Sequence, residues 1–141
     1  ILDLGCAVVV IKLGYKGLFI KTSDAERMAA VGKAAPASLA DWTDNCWFAP
    51  SFLIKEIAST TGAGDASIAG FLAGLLSGQS SWRSLQLACG AAAQKIQVRR
   101  SFGGIDNVEA LIEKITSWPH EQIDDIPASW SFDNDKRIWR I

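Results

Sequence analysis

Histidine, methionine and tyrosine each occur once in the 141 residues, cysteine three times and proline four times. Each scarcity excludes something. With His120 as the lone imidazole, a histidine-rich metal site has no ligands, and a histidine that follows Pro119 reads as exposed loop. The three cysteines, Cys6, Cys46 and Cys89, are odd in number, far apart and in apolar company. No C-x-x-C or Cys/His spacing supports zinc or a redox pair. They read as buried free thiols of a reducing, cytoplasmic setting. The formal net charge is -1, and the only adjacent basic pairs are Arg99-Arg100 and Lys136-Arg137. Nothing in that balance favours nucleic acid or an anionic membrane. No apolar run reaches the ~18 residues that a bilayer requires, and no signal peptide is visible. The one methionine is Met28, and Ile1-Leu2-Asp3-Leu4-Gly5 resembles a helix end stopped by glycine. The sequence is therefore expected to begin partway through a longer protein.

What is present is a globular composition, 49% hydrophobic and 21% charged. Residues 7–11 form a continuous apolar, β-branched run of the kind that suits a buried strand of a parallel sheet. Gly14-Tyr15-Lys16-Gly17 predicts a turn, and residues 18–20 a second strand antiparallel to the first. Residues 27–31 and 52–54 suggest further short strands; Pro36, Asp41, Asp44-Asn45 and Pro50 mark the intervening stretch as loop. The character then changes. Ala66, Ala69, Gly70, Ala73 and Leu76 recur at helical spacing over residues 65–76, with Gly78 as a stop. Ser80 or Ser81 can cap a second helix over residues 82–98, thin-walled from Ala88 to Ala93 and so suited to close packing. Asp106 or Asn107 can cap a third, running to about Thr116. Strands followed by close-packed helices indicate an α/β sandwich.

Thr61-Gly62-Ala63-Gly64-Asp65 sits between an expected strand and the first strong helix, where open α/β sheets place ligands. The glycines allow a tight turn and close approach to a ligand. The first amides of the following helix lack internal partners and, with the helix dipole, form an anion site. An aspartate there works against mere anion binding. It makes sense as a base that takes a proton from a hydroxyl attacking a phosphate. The alternative is a plain turn with Asp65 as a helix cap. A dinucleotide fingerprint fits worse, because position 67 is Ser67 and not glycine. The pairs Asp124-Asp125 and Asp133/Asp135 lie in turn-like sequence and read as solvated loop.

The longer string Ser59-Thr60-Thr61-Gly62-Ala63-Gly64-Asp65, followed by Ala69-Gly70-Phe71, is similar to the second signature of the ribokinase/PfkB family of carbohydrate kinases. The resemblance extends to the strand and turn from Val8 through Gly14 and Gly17, to the alanine-rich stretch from Ala88 to Ala93, and to the loop Ser101-Phe102-Gly103-Gly104. It implies a ribokinase-like three-layer α/β sandwich, of which residues 1–116 would be the C-terminal part, with residues 117–141 as a Trp-rich tail of unknown role. It further implies an ATP-dependent transfer to a sugar hydroxyl, with Asp65 as general base. Gly62, Ala63 and Gly64 would be the anion hole, and Gly14, Gly17 and Cys89 would border ATP. Magnesium would accompany the phosphates. The same fold could instead serve a nucleoside or a hydroxymethylpyrimidine, or a non-catalytic nucleotide-binding homologue.

Five departures qualify the resemblance. Ser59 stands where many members have an aspartate that helps to hold a monovalent cation, so activation by such a cation does not carry over. Lys12 replaces a common threonine and reads either as a phosphate contact or as a surface lysine at a strand end. Cys89 replaces a common asparagine. The family's Asn-x-x-Glu magnesium motif and most of its sugar contacts should precede Ile1, so no metal ligand is assigned here and the N-terminal half of the domain is the expected partner. The tail, with Trp118, Trp130 and Trp139, matches nothing in the family. It is expected to pack on the domain or on a second subunit of a homodimer, or to cover the nucleotide.

Overall fold

The computed structural model describes residues 1–100, 103–124 and 126–141. Ser101, Phe102 and Asp125 lie outside the described residues, and with them part of the expected 101–104 loop and one member of the Asp124-Asp125 pair. The architecture is mixed α/β, built on one five-stranded sheet. Its strands are β1 (Val8–Lys12), β2 (Gly17–Thr22), β3 (Cys46–Pro50), β4 (Ser131–Asp133) and β5 (Ile138–Arg140), in the spatial order β1-β2-β3-β5-β4. Every pairing is antiparallel. The expected β1–β2 hairpin is present, with Val10 opposite Ile20. Among the described residues no parallel pairing occurs, and β1 is a half-buried edge strand of this sheet.

Four helices accompany the sheet: α1 (Ala25–Ala30), α2 (Ala63–Leu76), α3 (Ser81–Ile96) and α4 (Val108–Ser117). Three expected helices are therefore found, and α2 starts two residues before Asp65. Ser80 caps α3, its side chain accepting the Arg83 amide at 3.3 Å. Asn107 caps α4 through the Ala110 amide at 2.9 Å. Residues 27–31, expected as a strand, belong instead to α1 and its end. Asp24 caps α1 by accepting the Arg27 amide at 2.9 Å, a local bond that favours helix over strand. Residues 52–54 make a single bridge, Phe52 to His120, and no strand. The strand lies just before them, in Cys46-Trp47-Phe48-Ala49-Pro50, where the sequence reading had a loop.

The core lies between the sheet and α3. Alternation along β2 and β3 turns Leu18, Ile20, Trp47 and Ala49 to the helices, where they join Leu85, Leu87, Ala88 and Ala91. Ile20, Leu85 and Ile138 are fully buried, each contributing ~1.5–3 kcal/mol of apolar burial. The small residues of α2 and α3 act as expected. A Cβ added at Gly70 would lie 2.6 Å from the Leu87 carbonyl oxygen, and one at Gly74 2.8 Å from Ser84 Oγ. On the far side of α3, a Cβ at Gly90 would lie 2.7 Å from Ile115 of α4.

The tail is part of the same body. β5 pairs with β3, placing Trp139 opposite Phe48, and Trp130 packs on Phe48 with ring centroids 5.6 Å apart. Asp133 is engaged structurally: its carboxylate accepts the Lys136 amide at 2.9 Å and the Lys136 ammonium at 2.7 Å, closing the β4–β5 turn. Arg137 donates to the carbonyls of Ile115, Thr116 and Trp118 and ties that turn to the end of α4. His120 is not the exposed loop residue its context suggested. Its ring stacks on Phe52 at 4.6 Å, Nδ1 lies 3.2 Å from the Pro50 carbonyl oxygen, and Nε2 is buried without a partner. Burial, reinforced by the charge of Arg137, holds its pKa below the ordinary histidine value. Of the three free cysteines only Cys89 is buried; Cys46 is half-buried and Cys6 exposed. Among the described residues, no helix is long and apolar enough to cross a membrane.

Candidate nucleotide site

The turn between β1 and β2 is set by two glycines. Gly14 has φ +62°, and Gly17 has φ +123° with no room for a side chain: an added Cβ would lie 2.1 Å from the Ala49 carbonyl oxygen. The Leu13 amide donates to the Gly17 carbonyl at 2.9 Å, and the Ser51 hydroxyl donates to the Tyr15 carbonyl. The turn is thereby fixed against the segment that leaves β3. That segment, irregular from Ser51 onward, leads to Gly62, whose φ of +81° starts α2.

These parts enclose a cleft of about 420 Å³. Lys12, Gly14 and Gly17 line it from the hairpin, Ala63 and Gly64 from the start of α2, and Cys89 from α3. Gly62 and Asp65 adjoin this lining without being part of it. The sequence-predicted residues thus converge on one place from three elements far apart in the chain. The cleft is two-ended. One wall is apolar, made by Phe52, Ile54, Cys89, Ala92, Ala93 and Ile96. The other end is the N-terminus of α2.

At that terminus the hydrogen bonding is incomplete in an informative way. The Ala63 amide is used, donating to the Thr60 carbonyl at 3.2 Å, and the Thr61 amide donates to Ser59 Oγ at 3.2 Å. Among the described residues, the amides of Gly62, Gly64 and Asp65 have no acceptor. Of the residues expected to form an anion hole, Ala63 thus has its amide engaged, and Gly62 and Gly64 do not. Asp65 does not cap the helix: the N-cap is Gly62, without a side-chain cap bond. Its carboxylate is exposed and accepts no hydrogen bond among the described residues.

Cys89 sits on the cleft floor, its thiol donating to the Ala49 carbonyl at 3.6 Å. Desolvation pushes that thiol well above the ordinary cysteine pKa, so it is a neutral wall group. Sequence reasoning missed most of the apolar wall. Phe52 and Ile54 were read as a strand, and Glu121, which reaches the cleft from the tail, carries no motif.

The pfkB family carbohydrate kinase model matches residues 2–106 of this sequence. The chain belongs to the PfkB carbohydrate kinase family. No curated protein matches it. Among solved structures it is similar to a protein from Clostridium perfringens named as a putative sugar kinase, at a TM-score of 0.59 and 19% identity. That match covers 87% of this chain and 33% of the other, so the chain spans about a third of the kinase it resembles. The family match includes the hairpin turn, the start of α2 and all of α3, the three elements that build the cleft. It stops before the tail, which nevertheless contributes Glu121 to the cleft and two strands to the sheet.

Proposed function

We propose that this chain is the ATP-side part of a kinase that transfers the γ-phosphate of ATP to a carbohydrate hydroxyl. The observation that carries the proposal is the unengaged Asp65 carboxylate beside amides without acceptors, at the mouth of a cleft with an apolar wall. As the third residue of α2, Asp65 has a carboxylate that is favoured by the helix dipole and, among the described residues, is held by no hydrogen bond. In this reading Asp65 accepts the proton of the attacking hydroxyl. The new bond forms between that oxygen and the γ-phosphorus, and the bond to ADP breaks. The amides of Gly62, Gly64 and Asp65 hold the charge that builds on the transferring group. The wall from Phe52 to Ile96 takes the base and ribose, with Gly14 and Gly17 bringing backbone close to the phosphates.

Magnesium, which PfkB kinases use with ATP, would neutralise phosphate charge. The described residues contain no group of three acidic, imidazole or thiol side chains suited to a metal. It would be held by the phosphates and by the Asn-x-x-Glu motif expected ahead of Ile1. The sugar contacts belong to the same expected segment. The outer face of α2 supports such a partner: Ile68, Leu72 and Leu76 are exposed at four-residue spacing, 51%, 46% and 82%, an apolar stripe that calls for cover.

The test is Asp65→Asn in the full-length protein, assayed with ATP and a panel of sugars, nucleosides and hydroxymethylpyrimidine. Turnover is expected to fall roughly a hundred- to ten-thousand-fold with ATP affinity retained. Near-normal turnover by the variant would remove Asp65 as the base. A wild type that phosphorylates only nucleosides or the pyrimidine would keep the chemistry and change the acceptor. ATP binding with no transfer to any acceptor would favour a non-catalytic homologue.

A further inference from the structure

Lys12 is the last residue of β1, and its side chain reaches across to the start of α2. A Cβ added at Gly64 would lie 2.8 Å from Lys12 Nζ. This explains a glycine that backbone conformation does not. Gly62 has a positive φ, but Gly64 is an ordinary helical residue whose φ is not positive, and any side chain could adopt it. What comes nearest to the space of its side chain is the ammonium of Lys12, the far end of a flexible, exposed side chain.

That ammonium is exposed and, among the described residues, has no ion-pair partner. It is also the only cation in the described lining of the cleft, where the one other charged side chain is Glu121. Lys95 offers a contrast. It approaches the same loop from behind, its Cε 3.2 Å from the Cβ position of Gly62. Its ammonium, however, is bonded to the Arg100 carbonyl at 2.8 Å, and the residue is only 6% exposed. Lys95 is committed to the fold; Lys12 is not. A polyphosphate entering beside Asp65 is repelled by that carboxylate and attracted by the partial positive charges of the amides, and a full positive charge would offset the repulsion.

We propose that Lys12 is a phosphate-binding residue that contacts the transferring end of a nucleoside triphosphate, and that Gly64 is glycine so that this ammonium can reach it. The proposal rests on the kinase reading above. It is tested in the full-length protein by calorimetric titration of ATP and AMP together with steady-state kinetics. Lys12→Met keeps the aliphatic stem and removes the charge. It is expected to weaken ATP binding and lower kcat/KM by about ten- to a hundred-fold, the worth of a charge-assisted contact. AMP binding should stay within about twofold, since AMP lacks the terminal phosphate. Lys12→Arg should restore most of the loss. Gly64→Ala should weaken ATP binding in the wild-type background and add little to Lys12→Met, because both displace the same ammonium. Unchanged ATP affinity and kcat/KM in Lys12→Met, in a protein whose wild type transfers phosphate, would overturn the role of Lys12 and leave the kinase reading standing. Equal losses for ATP and AMP would overturn it as well, by marking a structural defect. A wild type that neither binds ATP nor transfers phosphate would overturn the kinase reading itself.

Discussion

The two ends of α2 are built on opposite terms. At its start, the amides of Gly62, Gly64 and Asp65 and the exposed Asp65 carboxylate have no partner among the described residues, and the exposed Lys12 ammonium lies beside them. Farther along, Gly70 and Gly74 are buried, and their missing side chains are filled by α3: Leu87 and Ala91 at one, Ser84 and Leu87 at the other. The same residue type lies at the mouth of the cleft in one place and makes helix-to-helix contact in the other. Unpaired polar groups cost stability wherever water cannot reach them, so they cluster at the solvent-open mouth; in the interior contact the described residues leave one, the buried Ser84 hydroxyl against Gly74. Function and stability should therefore separate along one helix.

The sharpest test of that separation is the pair Asp65→Asn and Gly70→Ala. Asp65→Asn should remove most turnover, as argued above, and leave the urea midpoint of the full-length protein within experimental error, because the carboxylate makes no bond that the fold uses. Gly70→Ala should do the reverse. Its methyl would sit 2.6 Å from a backbone oxygen and 2.8 Å from Ala91 Cβ, neither of which can swing away. Overpacking of ~1–3 kcal/mol is partly offset by the ~1 kcal/mol better helix propensity of alanine. The net loss of up to about 2 kcal/mol should appear as a lower urea midpoint at unchanged slope. A destabilised Asp65→Asn, or a Gly70→Ala of full stability, would break the contrast.

A smaller effect is expected at the apolar wall, where Ala92 lines the cleft from α3 and is only half-buried. Ala92→Leu should fill space that the base occupies. ATP and AMP should weaken together, by about tenfold, with stability nearly unchanged. Calorimetry then distinguishes the two ends of the cleft. A loss specific to ATP marks the phosphate end, and a loss common to both nucleotides marks the base end.

Much of this arrangement was legible from local sequence, and the rest was hidden for identifiable reasons. The helices declared themselves through caps and spacing: Ser80 and Asn107 bond the amides that their positions implied. The Gly62-to-Asp65 loop was legible because glycines and an aspartate before a helix have few structural uses in combination. Three features were not legible. Residues 27–31 looked like a strand because the capping bond from Asp24 lies outside that window. β3 was masked by Pro50, which is tolerated because it ends the strand. The tail hairpin has only three residues per strand, too short for alternation to register, and its place beside β3 depends on Trp139 meeting Phe48 across a segment that holds α2, α3 and α4. Of the residues expected at the site, Gly14, Gly17, Ala63, Gly64 and Cys89 do line the cleft. Lys12 was left between two readings, because only the folded hairpin shows that its ammonium reaches Gly64.

The smallest effect concerns the tail and is a matter of pH. His120 is stacked on Phe52, with a buried Nε2 that has no partner, so the folded state resists its protonation. Burial is the main cause, and the charge of Arg137 adds to it. The folded pKa therefore lies below the unfolded value of about 6.5. The unfolded chain takes up the proton first as pH falls. The stability due to neutral His120 is fully present above about pH 6.5 and is lost as pH falls from there through the folded pKa. Three carboxylates behave alike at lower pH: Asp24, Asp106 and Asp133 are held below the ordinary range, chiefly by the Arg27 amide, Lys114 and Lys136 respectively. Their contribution is retained until pH falls below about 4, which leaves the window between about 7 and 5 to the histidine. Urea unfolding followed across that window should show a loss in the wild type smaller than the effect of Gly70→Ala, and a flatter profile in His120→Gln. A profile with the same slope in both proteins would place the titration elsewhere and would remove the tail from the buried half of the comparison.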